Sequence, residues 1–157
     1  MSTLDQRRKS SEQPRPEPPG RRTALALGVL GLLVAAATFV VPSSTAADLC
    51  WAIGFGVLFL ALVVAVVGAV RARGDRLSAA PTSAAGWVSL ACFFAAVAFA
   101  FTPFGEISLA LGLVSAASAV GAISVSRERS VPVIMLPLLG GMFVLAFVLG
   151  ELLIGHP

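Results

Sequence analysis

Tyrosine and asparagine are absent from this chain of 157 residues, and histidine and lysine occur once each, as His156 and Lys9. Only two cysteines are present, Cys50 and Cys92. Nucleophilic and metal catalysis draw on clustered histidine, cysteine and acidic side chains. Here the one histidine is next to the last residue, and no HExxH, CxxC, phosphate-loop or Gly-x-Ser-x-Gly pattern occurs. The shortage predicts a protein that is not an enzyme and carries no cofactor or metal. Charge is scarce too, at 12% of residues, about half the share of a soluble domain. That excludes an ordinary soluble domain and makes a nucleic-acid partner unexpected. Ten arginines against a single lysine, with asparagine missing, match the codon bias of a GC-rich genome and suggest a bacterium.

The chain has instead long apolar runs. Residues 1–22, MSTLDQRRKSSEQPRPEPPGRR, are polar, charged and proline-rich. Such a segment buries too little apolar surface to offset its ordering entropy, so a disordered cytoplasmic tail is expected. Residues 23–157 are expected to form a transmembrane helical domain. Five apolar blocks fill it: 23–41, 49–70, about 85–101, about 107–125 and 131–154. Each approaches the roughly 17–25 residues that a helix needs to cross a hydrocarbon core. Backbone groups in lipid must be satisfied within the segment, and these blocks lack the alternation of barrel strands. The fold class predicted is all-α, a polytopic bundle of five transmembrane helices. Pro42 and Pro103 end the first and third blocks. Ser130 is an expected N-cap for the fifth, with Pro132 tolerated in its first turn.

The charges are sorted along the chain. Arg7, Arg8, Lys9, Arg15, Arg21 and Arg22 precede the first block. Arg71, Arg73 and Arg76 follow the second, and Arg127 and Arg129 follow the fourth. These are all eleven basic residues. With five crossings every one falls on the same side, which the positive-inside rule makes cytoplasmic. The N-terminus is then inside and the C-terminus outside, in a multi-pass protein of the bacterial plasma membrane. The tripeptide Arg73-Gly74-Asp75 is thereby read as part of a cytoplasmic loop and not as an adhesion signal. Trp51 and Trp87 are placed near the outer and inner interfaces, where indoles concentrate. Cys50 and Cys92 fall at different depths, so a disulfide is not expected. A rival reading takes the first block as a secretory signal cleaved after Ala46 or Ala47, leaving four helices in the same orientation.

Few residues offer chemistry. Asp48, Glu106, Glu151 and His156 would all lie at the outer end, a candidate acidic cluster for binding a cation or moving protons. The plainer reading is that outer loops merely retain a few acids. Small residues recur at fourfold spacing: Ser108, Gly112 and Ala116, with Ala117 and Gly121 alongside; Ala61, Ala65 and Ala69; Ala146 and Gly150. Such stripes let helices approach closely and gain van der Waals contact. Gly112, Ala116, Gly121, Ala61, Ala65, Ala146 and Gly150 are therefore the candidate packing residues. Pro137 is expected to kink the last helix. VVGAVRARGDR at 66–76 and AVGAISVSRER at 119–129 hint that the first four helices are two duplicated hairpins.

The tail-plus-helices layout, with blocks such as ISLALGLVSAASAVGAISV, resembles small multi-pass membrane proteins of GC-rich bacteria, a class without an assigned function. The resemblance implies a membrane bundle and carries over no functional residue. The expected role is a non-enzymatic accessory or scaffold subunit, its partners the lipid bilayer and another membrane protein or a second copy. The alternative is a small transporter or permeation protein with an outward-facing acidic site.

Overall fold

The computed structural model describes residues 20–42, 44–71, 77–102 and 105–154, with residues 44, 105–106 and 147–154 described by backbone alone. The tail as far as residue 19, the Arg73-Gly74-Asp75 tripeptide and His156 lie outside the described residues. Among the described residues five α-helices follow in chain order: α1 Arg21–Ala36, α2 Ser44–Arg71, α3 Ala84–Ala100, α4 Gly105–Ser124 and α5 Val131–Ile154. Among the described residues the one extended pairing is an isolated bridge between Ser78 and Ser130. Three segments, Arg21–Phe39, Thr45–Arg71 and Ile107–Ser124, are long and apolar enough to cross a membrane; Ala84–Ala100 and Val131–Ala146 are shorter apolar stretches.

Helix ends differ from the apolar block ends for physical reasons. α1 opens on Gly20, whose φ of 91° is comfortable only without a Cβ, and begins two residues before the apolar block. It tightens into a 3-10 turn at Ala37–Phe39, short of the expected end at residue 41. Val40 and Val41 N–H groups both reach back to Ala37 O, and Pro42 admits no further turn. α2 starts at Ser44, five residues before its apolar block. Its first turn is polar, and polarity marks where apolar surface ends, not where backbone hydrogen bonding does. At 28 residues, α2 is roughly 42 Å long, well beyond a hydrocarbon core. α3 has a built N-terminus: Ser83 Oγ accepts from Gly86 N at 3.1 Å. α5 runs helical through Pro137, which is buried.

α1 packs mainly on α2 and α3 mainly on α4, giving two hairpins that meet through α2 and α4; α5 touches α2, α3 and α4. The first hairpin is joined backbone to backbone. A Cβ on Gly31 would come within 2.7 Å of Leu58 N and 2.8 Å of Gly54 O, and one on Gly54 within 2.7 Å of Ala35 Cα. No side chain larger than hydrogen fits that crossing. The second hairpin is joined by polar groups. Ser89 Oγ donates to Ser115 O (3.0 Å), Ser115 Oγ donates to Ser89 O (2.8 Å), and Ser108 Oγ donates to Ala96 O (2.7 Å). The two hairpins thus share a path but not a means of contact. Between them lies a core of alanine and branched aliphatics, including Leu58, Ala61, Leu62, Ala119, Val120, Ile123 and Val133. α5 is seated by two phenyl rings. Phe93 Cε2 lies 2.8 Å from where a Gly140 Cβ would stand, and Phe59 Cε2 2.6 Å from that of Gly141.

Candidate functional site

The best-defined polar site lies where α2 and α4 end and α3 and α5 begin. The chain leaves α4 with Val125 N–H bonded to Gly121 O. Arg127 then takes φ 53°, the left-handed region that glycine more often occupies at a helix end. That turn lets Glu128 N–H reach back to Ala122 O at 3.0 Å and sends the Glu128 side chain inward, where the residue is only 1% exposed. The carboxylate meets the start of α3. Oε1 accepts from Thr82 N (2.8 Å) and Thr82 Oγ1 (3.1 Å), and Oε2 accepts from Ser83 N (2.8 Å). Gly86 makes the room, since a Cβ there would stand 3.0 Å from Oε2.

Two backbone bonds tie the same loops together. Ser78 N–H donates to Arg129 O (3.1 Å), and Val131 N–H donates to Ser78 O (3.0 Å). Ser78 Oγ also donates to Ala80 O, which tightens its own turn. The result is a clasp between the α2–α3 connection and the α4–α5 connection.

The electrostatics favour an ionised carboxylate. Burial alone would push the Glu128 carboxyl up; hydrogen bonds from Ser83 and Thr82, helped by the nearby Ser130 hydroxyl, outweigh it and hold the pKa below the ordinary 4.5. The partial positive charge at the N-terminus of α3 acts in the same direction. The buried Ser130 hydroxyl completes no hydrogen bond of full geometry, so its part is that of a nearby dipole. Ser130 occupies the N-cap position of α5 as expected from sequence, its carbonyl accepting from Ile134 N at 3.2 Å, but its hydroxyl makes no capping bond. A buried, hydrogen-bonded carboxylate of low pKa is a poor general base and a poor ligand for a substrate. What it does well is hold two loops and a helix end together.

The residues singled out from sequence are placed elsewhere. Asp48 is exposed in the second turn of α2, Glu106 is the second residue of α4, and Glu151 lies in the last turn of α5. The alternating helix directions put all three at the end opposite the clasp. No group of three metal-binding side chains occurs among the described residues. Both cysteines are free. Ala61, Ala65 and Ala116 are buried in the core. Gly112 and Gly121 have no heavy atom within 4 Å of where a Cβ would be. Ala146 is exposed, and Gly150 falls within α5. Trp51 stacks on Phe55 with ring centroids 5.3 Å apart, whereas Trp87 is 58% exposed.

No protein-family model, curated protein or solved structure matches this chain.

The site must therefore be argued from its own geometry. Sequence inspection passes over Glu128 because it sits between Arg127 and Arg129 and looks like a solvated loop acid. Two signals were present. Thr82-Ser83 stands directly before an apolar run, the position of a helix N-cap. Glu128 is also the sole acid among the basic residues of its connection.

Proposed function

We propose that the chain is a five-span protein of the bacterial plasma membrane, with the clasp and the N-terminus in the cytoplasm and the C-terminus outside. In this reading the bundle serves as a non-enzymatic accessory or scaffold subunit that packs against other membrane helices. The observation that carries it is the make-up of the described interior. Alanine and branched aliphatics from all five described helices fill the core, and the buried hydroxyls of Ser89 and Ser115 are satisfied by each other's helix. Packed small residues and paired hydroxyls suit a structural bundle better than a hydrated path. The outer surface of α1 offers the contact area: Val29, Leu30, Leu32 and Leu33 are all exposed.

A photo-crosslinking residue at Leu33, which is 64% exposed, tests this in cells. The expected result is a discrete product joining the chain to a second membrane polypeptide, with none when the same residue replaces the buried Leu62. Crosslinks to lipid alone from every exposed α1 position contradict the scaffold reading. So does solute flux in reconstituted vesicles that Glu151→Gln abolishes, which would establish the transport alternative.

A further inference from the structure

We propose that the clasp end of the bundle is a binding surface for the phosphate headgroups of anionic lipids, with Arg71 and Arg127 as its principal contacts. The inference rests on the membrane-spanning reading above and goes beyond it by naming a ligand and the residues that take it.

Four observations converge. First, Arg71 is the last residue of α2 and is exposed, and Arg127 is exposed in the connection after α4. The bonds of Ser78 with Arg129 and Val131 tie the two connections together, and the helix directions put Arg71 and Arg127 at the same end of the bundle. Second, that end keeps its positive charge. Glu128 is the sole acid at this end among the described residues, and its carboxylate is engaged by Thr82 and Ser83 at the start of α3. Third, Arg21 and Arg22 open α1 at the same end, so basic residues of three segments gather there. Fourth, the cations stand directly beyond exposed apolar side chains. Val70 (69% exposed) precedes Arg71, Val125 (57%) precedes the turn at Arg127, and Leu77 and Trp87 are exposed nearby in the chain.

That last feature selects the ligand. A free anion has no use for an apolar border. A lipid has, because its chains lie along the valines while its phosphate meets the arginines. A guanidinium near an anionic surface strengthens association about fivefold, so the Arg71 and Arg127 pair accounts for roughly a twenty-five-fold preference at most.

Trp87 provides the readout. A Trp51→Phe protein, with Trp87 as its one indole, is reconstituted into vesicles containing phosphatidylcholine or phosphatidylglycerol with brominated chains. The account predicts quenching by both lipids and a several-fold preference for phosphatidylglycerol. The preference should fall in Arg71→Gln/Arg127→Gln and at high salt, and persist in Arg71→Lys/Arg127→Lys, which keeps the charge. Inorganic triphosphate should not compete. Equal quenching by the two lipids, or a preference unchanged in the glutamine pair, overturns the inference. Competition by triphosphate overturns it in favour of a soluble anion. Absence of quenching by either lipid instead contradicts the membrane reading itself.

Discussion

At the scale of single residues, Glu128 carries the most physical content. One carboxylate accepts hydrogen bonds from two backbone amides and a hydroxyl across 45 and 46 positions of sequence. Removing it leaves those donors facing a buried gap, at a cost of about 2 kcal/mol. Its pH dependence has a definite sign. The folded pKa lies below the ordinary 4.5, so the contribution is complete above that value and is lost as the pH falls through the lower folded pKa. Thermal melts in detergent across acid pH should show the native protein losing stability below about pH 4.5. Glu128→Gln should be less stable near neutral pH and lack that acid-linked loss. A variant whose melting curve parallels the native one at every pH would show that the clasp is not electrostatic. The sequence did not disclose this residue because its partners are far away in the chain, and a fold is needed to bring Thr82 and Ser83 to it.

At the scale of elements, the decisive contact is the α1–α2 crossing. Gly31 and Gly54 let two backbones meet where a single Cβ would overlap Leu58 or Ala35. Gly54→Ala should therefore cost about 2 kcal/mol through forced separation of the helices. Gly112→Ala, where the space is open, should be neutral or slightly stabilising because alanine favours the helix. Melting temperatures of the two variants in one detergent check this, and equal shifts would mean that the crossing is not a tight one. The helices themselves were legible, because runs of 17 residues or more without charge leave few alternatives. Their ends were less so: the polar first turn of α2 and the early start of α1 obey backbone bonding and not hydropathy. The packing face was the least legible part. In a chain this rich in alanine many small-residue stripes look alike. Ala61, Ala65 and Ala116 reached the core, while the Gly31–Gly54 contact depends on a neighbour that no single-helix pattern reveals.

At the scale of the whole molecule, charge is segregated by end. The described arginines, Arg21, Arg22, Arg71, Arg127 and Arg129, lie at the clasp end, and Asp48, Glu106 and Glu151 lie at the other. Translocating a guanidinium costs roughly 2.5–3.5 kcal/mol at mid-membrane, so such sorting follows from insertion alone. The clasp joins the two basic connections into one unit, a contact that the alternation of basic loops does not disclose. Everything proposed about partner and lipid depends on this orientation. A fusion of a dual reporter to Pro157, fluorescent only in the cytoplasm and enzymatically active only outside it, measures it directly. The account predicts external enzymatic activity without fluorescence; fluorescence without external activity would contradict it.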